Sequence, residues 1–183
     1  MNSLISNSPP LSLLIRPLTA QDLPALEWDG AYTHQRRVFE RTFGEMQTGV
    51  KHMLVAEAEG RIIGQVFIQF RSSEEQFADG ATRGYLFALR VRPEWRGQQI
   101  GSRLMAAAEA ELLQRGYRVA VISAAKTNAG ARRLYERQGY HVIAEDPGEW
   151  YFTDVNGQTQ HVEEPCWVME KAISGQASGV SGQ

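Results

Sequence analysis

GYLFALRVRPEWRGQQIGSRLMAAAEAELLQRG (Gly84–Gly116) reads as a strand, a basic turn and a helix, in that order. Tyr85 to Val91 is a mostly apolar run rich in β-formers. Pro93 closes it, because proline has no N–H to give to a ladder. Glu94 to Gln99 form a short turn. Beyond it Ile100, Leu104, Ala108 and Leu112 recur at i, i+4, the spacing of one buried helix face. Gly116 is a natural stop, since the residue just past a helix often needs positive φ. The start of such a helix offers unpaired backbone N–H groups and the positive end of the dipole. Gly97 and Gly101 lack a Cβ, so backbone can approach a bulky anion there. Arg96 and Arg103 add positive charge. Two readings stand side by side: a phosphate or pyrophosphate cradle, and an ordinary β–turn–α connection with a glycine for close packing.

The turn has neither the Gly-Lys-Ser/Thr of a Walker loop nor the G-x-G-x-x-G of a dinucleotide fold. It resembles the acyl-CoA loop of the GNAT N-acetyltransferase superfamily. That signature is Arg/Gln-x-x-Gly-x-Gly/Ala after a strand ending near Val-x-Pro. Here Val91-Arg92-Pro93 is followed by Arg96-Gly97-Gln98-Gln99-Ile100-Gly101. Arg96 and Gly101 match, and Gln99 replaces the central glycine. At negative φ its backbone N–H still serves the cradle; a position requiring positive φ would weaken it. A second segment, Asn128-x-x-Ala131-x-x-Leu134-Tyr135-Glu136-x-x-Gly139-Tyr140, is similar to the family's N-x-x-A-x-x-x-Y-x-x-x-G-F helix and lies at the right distance downstream. The resemblance covers residues 13–173. It implies an α/β (α+β mixed) fold: a central, mostly antiparallel sheet, splayed at its middle strands and flanked by about four helices. Residues 13–173 are then one acyl-CoA N-acyltransferase domain, with disordered ends at 1–12 and 174–183.

Outward from this stretch the pattern agrees. Leu13–Arg16 reads as a short strand. Thr19 is a candidate N-cap with Asp22 three residues on, opening a helix to Asp29. His34–Met46 reads as a second helix, with Val38 and Phe43 among its inward residues. His52–Ala58 and Arg61–Arg71 flank Glu59-Gly60 as a hairpin. Ser72–Arg83 is a polar loop. Downstream, Arg118–Ser123 is a continuous apolar run, as in a strand covered on both faces. Asn128–Gln138 is a helix stopped by Gly139, and Tyr140–Ala144 a further strand. Two strand–helix–strand crossings in succession predict locally parallel pairing. Glu149–Val155 and Gln158–Val162, joined by Asn156-Gly157, predict a hairpin with a type I′ turn. Cys166–Ala172 is the last strand.

The resemblance implies acetyl-CoA as co-substrate. Its pantetheine arm would lie in the break beside Leu89 and Val91, pairing like an extra strand. The pyrophosphate would sit on the N–H groups of Arg96, Gly97, Gln98, Gln99, Ile100, Gly101 and Ser102. Tyr135 takes the place of a tyrosine that related enzymes set near the CoA sulfur. A phenol of ordinary pKa about 10 is a proton donor at neutral pH; packing between helix and sheet is the competing role. Asn128 contacts the pantetheine arm, caps its helix, or does both. Many relatives carry a glutamate on the central strand where this chain has Phe87. Glu27, Asp29, Glu40 and Glu149 are candidate bases acting through water, and equally solvated surface groups; an amine arriving neutral needs none. Trp28 and Tyr32, with Trp150, Tyr151 and Phe152, fall on the segments that border the acceptor in this family. Arg132 and Arg133 either reach a CoA phosphate or solvate their helix.

Composition bounds the rest. A chain of 183 residues, 43% hydrophobic and 22% charged, suits one globular domain, and a net charge of −2 gives no case for nucleic-acid binding. The four histidines show no metal-ligand spacing, so no metal is expected. Cys166 stands alone and outside both motifs, which gives no support to a covalent route. No apolar run approaches the ~18 residues of a membrane span, and the N-terminus lacks a signal-peptide pattern. The expectation is a cytoplasmic monomer or homodimer, without nucleic-acid or membrane partners. It acetylates a primary amine, on a small molecule or peptide, by direct attack in a ternary complex. A CoA-binding sensor without catalysis and an unrelated α/β domain are the alternatives.

Overall fold

Apolar runs in this chain become strands, and the i, i+4 stripes become helices laid on them. The computed structural model describes residues 12–174, so the segments expected to be disordered lie almost wholly outside the described residues. Strand β1 (Leu13–Pro17) leads into a 3₁₀ helix (Ala20–Glu27). This segment, expected as the first helix, takes the tighter form around Pro24, which lacks the N–H an α-helix would use. Thr19 starts it, its N–H and hydroxyl donating to the Asp22 carboxylate at 2.8 Å. Trp28 and Asp29, both at positive φ, end it. A 3₁₀ turn (Thr33–Gln35) runs into α1 (Arg36–Gln47). Its most buried residues are Phe39 and Thr42, with Val38 and Phe43 only half-buried.

Strands β2 (Lys51–Ala58) and β3 (Arg61–Gln69) form the expected hairpin, with Glu59 and Gly60 at φ 51° and 72°. Then come β4 (Arg83–Val91), α2 (Ile100–Gln114), β5 (Val119–Ala125), α3 (Ala129–Arg137), β6 (His141–Asp146), β7 (Glu149–Thr153), β8 (Thr159–Glu163) and β9 (Cys166–Ala172). Seven strands make one sheet in the order β1-β2-β3-β4-β5-β9-β6, and β7 and β8 pair separately. Among the described strands of the large sheet, β4 and β5 alone are parallel neighbours.

Two expectations are corrected here. The second crossing, β5–α3–β6, does not produce a parallel pair: β9 inserts between its strands, antiparallel to both. The Asn156-Gly157 hairpin is not a two-residue type I′ turn. Its loop runs Asp154–Gln158, only Gly157 has positive φ (80°), and the Asp154 carboxylate accepts from the N–H groups of Asn156 and Gln158 at 2.9 Å. That local side-chain bonding outcompetes the tighter turn.

The sheet has a core on each face. Ile100, Leu104, Ala108 and Leu112 of α2, at most 1% exposed, pack with Ile63, Leu86 and Ile122. Burying each large side chain is worth about 2 kcal/mol. Gly84 allows this approach, since a Cβ there would stand 2.2 Å from Leu112 Cδ2. The opposite face carries Leu26, Phe39, Met53, Val55 and Phe67 beneath α1.

Candidate active site

β4 and β5 pair only over Arg83–Leu86 and Val119–Ile122. Further along, the strands part. The β3–β4 register steps from Phe67–Phe87 to Gln65–Arg90, so Ala88 and Leu89 stand opposite Val66 alone, and Ala88 takes φ 51°. Such a bulge bends and twists its strand. It falls just past the last β4–β5 pair and leaves backbone of Phe87–Val91 along the wall of a cleft of ≈ 1850 Å³.

The turn after β4 forms one end of this cleft. Arg96 Nε donates to Val91 O at 3.1 Å, tying the turn back to the strand. Gly97 takes φ 76° with open space where a Cβ would stand, and at Gly101 a Cβ would come 3.4 Å from Leu134 Cδ2. Gln99 also lies in the left-handed region (φ 61°, ψ 12°), so this position requires positive φ. Among the described residues the backbone N–H groups of Gly97, Gln98, Gln99, Ile100, Gly101 and Ser102 have no acceptor; the first that does is Arg103, bonded to Gln99 O at 3.0 Å. A row of free N–H groups at a helix start is an anion cradle. It fits a pyrophosphate.

Leu89, Val91, Arg96, Gly97, Gln99, Ile100, Gly101, Ser102 and Asn128 all line the cleft, and Gln98 does not. Asn128 Oδ1 accepts from Ala131 N at 3.0 Å, so it is the cap of α3 as well as a wall of the cleft. Ser102 Oγ accepts from Gln138 Nε2 at 3.1 Å, joining the start of α2 to the end of α3. Tyr135 lines the cleft while 6% exposed. Burial pushes its phenol up to about 12, with a smaller contribution from Tyr85. Arg132 pairs with Glu136 at 2.9 Å and lies over Trp167; neither it nor Arg133 lines the cleft, whereas Arg137 does.

The other side of the cleft is aromatic. Phe87 and Tyr85 stack at 5.9 Å, and Tyr32, Trp150 and Phe152 line the same space. Trp28 does not; it is 7% exposed and packs edge-on against Tyr32. Of the candidate bases, Glu27 is bound by Arg36 and Thr33 and Asp29 by Arg92, which holds both below the usual carboxylate range. Glu40 lies outside the cleft, and Glu149 lines it. Sequence reasoning passed over Arg90, Gln35 and Arg137, all of which line it. The one available signal for Arg90 was a cation inside an otherwise apolar strand.

The chain is similar to known proteins both in sequence and in fold. A family model described as "Acetyltransferase (GNAT) family" matches residues 18–140. A protein of Archaeoglobus fulgidus described as an uncharacterized N-acetyltransferase is 34% identical over 113 residues, 60% of this chain and 74% of the relative. Among solved structures, a ribosomal-protein-alanine N-acetyltransferase of Brucella melitensis superimposes with TM-score 0.66 at 22% identity, covering 87% of this chain and 99% of that one. The PaiA N-acetyltransferase of Thermoplasma acidophilum, in complex with coenzyme A, superimposes with TM-score 0.62 at 19% identity, covering 88% and 99%. At these identities the two structures establish a shared fold.

Proposed function

Because the chain belongs to the GNAT acetyltransferase family, we propose that residues 13–173 form a single domain that moves an acetyl group from acetyl-CoA to a primary amine, in the cytoplasm, by direct attack within a ternary complex. The observation that carries this reading is the row of free N–H groups at 97–102 opening onto the gap between β4 and β5. Acetyl-CoA, when bound, supplies the activated acyl group as a thioester. Leu89 and Val91 offer main-chain groups along the gap, Asn128 borders it, and the 97–102 turn takes the pyrophosphate. Attack forms the C–N bond as the C–S bond breaks. The sulfur departs as a thiolate and takes a proton from solvent, which balances the proton that the amine gives up.

Tyr135 is the group assigned to that sulfur. A phenol at about 12 stays protonated at neutral pH, so it donates a hydrogen bond to a developing thiolate rather than ionising itself. Tyr32 and Trp150 border the acceptor. Trp28 acts behind Tyr32, as packing. Glu149 is the carboxylate of the original candidates that faces the cleft, and it takes the amine's proton through water.

The test pairs binding with turnover. At ~100 times its Kd, acetyl-CoA raises stability by about 2.7 kcal/mol, which moves the unfolding midpoint by several degrees in a chain of this size. The midpoint should rise with acetyl-CoA and CoA and not with ATP, and an amine panel should release free thiol. No shift with either CoA species would end the proposal. A shift without thiol release on any amine would mark a CoA-binding module instead.

A further inference from the structure

Among the described residues, Arg90 is a cation without a counter-charge. Its Nη2 donates to Gln35 Oε1 at 2.7 Å, and its Cζ lies 4.0 Å from the Tyr32 ring centre. Its Nη1 is buried and has no partner among the described residues, where no carboxylate lies within ion-pair distance of it. Neighbouring arginines differ: Arg92 pairs with Asp29 at 2.9 Å, and Arg36 with Glu27 at 2.5 Å. Directly across the ladder Gln65 is fully buried, with both amide atoms unpartnered. A half-buried guanidinium with one nitrogen closed off among neutral groups is costly unless a ligand supplies the missing charge. Burial pushes its pKa down, the direction expected of a cation without an anion. Gln35 and Tyr32 hold the guanidinium in place without neutralising it, in a wall of the cleft.

Carboxylates line the cleft beside the start of β4, where Gln76, whose O accepts from Arg83 Nε at 3.3 Å, reaches Glu74 Oε2 at 3.3 Å and Asp146 Oδ2 at 3.4 Å. Strand β4 sets the order between the ends. Tyr85 lies nearest the acidic loop, its ring 4.9 Å from Phe77; then comes Phe87; then, past the bulge, Arg90. An acceptor with an ammonium group, an apolar body and an anion matches this order.

We propose that Arg90 is the anion-recognition residue of the acceptor site, and that the amine acetylated by this chain carries a carboxylate. The inference rests on the acetyltransferase reading of the cleft. A planar guanidinium pairs a carboxylate with a two-pronged fit that lysine cannot copy. The carboxylate is either that of a free amino acid or an acidic side chain near the N-terminus of a peptide.

Calorimetry on the full chain saturated with CoA separates these sources. One arm compares aromatic, aliphatic and charged L-amino acids with their amides and decarboxylated amines. The other compares tetrapeptides bearing glutamate or glutamine at the second position. The expected result is at least tenfold tighter binding of the carboxylate-bearing member in one arm. Arg90→Met should abolish that margin and Arg90→Lys reduce it, with CoA affinity held within twofold and the unfolding midpoint reporting intact folding of each variant. No margin in either arm, a margin that survives in Arg90→Met, or no binding by any pair overturns the assignment. A carboxylate preference without acetyl transfer would end the transferase reading and keep this one. Turnover without a preference would do the reverse.

Discussion

Gln99 occupies a backbone conformation that L-residues avoid. At φ 61° its Cβ crowds the following carbonyl, at a cost of about 1–2 kcal/mol relative to glycine. The Gly97–Ser102 turn keeps its row of free N–H groups in spite of the side chain, because the left-handed geometry is retained and the strain is accepted. Gln99→Gly is therefore expected to raise the unfolding free energy by about 1 kcal/mol, less the extra freedom glycine gains in the unfolded chain, with CoA binding as tight or tighter. Denaturant unfolding and titration with CoA check both halves; weaker CoA binding would mean that the glutamine side chain itself contacts the cofactor. Tyr135 carries the other residue-level expectation. Its phenol rises from 10 to about 12 on folding. The protonated donor is therefore fully present below pH 10 and is lost only as pH rises through 12. Tyr135→Phe should lower kcat about a hundredfold, with little change in the KM for acetyl-CoA. The wild-type kcat profile should show no falling limb between pH 6 and 9. A falling limb there would point to a different acid.

At the scale of elements, the site depends on where β4 begins and where it bends. Its start is tied down by Asp79, whose carboxylate accepts from the N–H groups of Ala81, Thr82 and Arg83 at 2.8–2.9 Å and from the Thr82 hydroxyl at 2.5 Å. Burial pushes this carboxyl up, but the four donors outweigh it and hold it well below the usual range. Asp79→Ala leaves those donors without an acceptor. The expected loss is about 1–3 kcal/mol, read as an earlier urea midpoint; an unchanged midpoint would show that water replaces the carboxylate at no cost. The face of α2 was legible beforehand, because a helix with a buried stripe must repeat at its own period, and Ile100, Leu104, Ala108 and Leu112 do so. The Ala88–Leu89 bulge was not. A bulge adds a residue without changing composition, so period-two reasoning has nothing to register. The same gap hid Arg90: the bulge sets which face it takes.

Across the whole molecule, charge and topology set behaviour that no single element shows. Burial lowers the pKa of His52, so the unfolded chain binds its proton first. Stability tied to this group is present above about pH 6.5 and is lost as pH falls through the lower folded value. Asp22, bound by Arg16, and Asp79 are depressed carboxyls. Their contribution is present above about pH 4 and is lost below it. The unfolding midpoint should thus fall in two stages on acidification, a shallow one below about pH 6.5 and a steep one below about pH 4. His52→Gln should remove the first stage, and Asp79→Asn should flatten the second. A midpoint that rises with acid would contradict all three assignments.

The amino-acid order alone determined the succession of strands and helices, the turn that bears the free N–H groups, and the helix containing Tyr135. Each of these is local, set by side-chain period, by proline and glycine, and by residues a few positions apart. Tertiary structure alone decided that β9 slips between β5 and β6, that Trp28 packs behind Tyr32 while Tyr32 faces the cleft, and that Glu27 and Asp29 are spent on arginines. It also set Arg90 uncompensated in the wall of the cleft. Those outcomes depend on contacts between residues far apart in the chain, and no spacing along the sequence encodes which distant partner a side chain will meet.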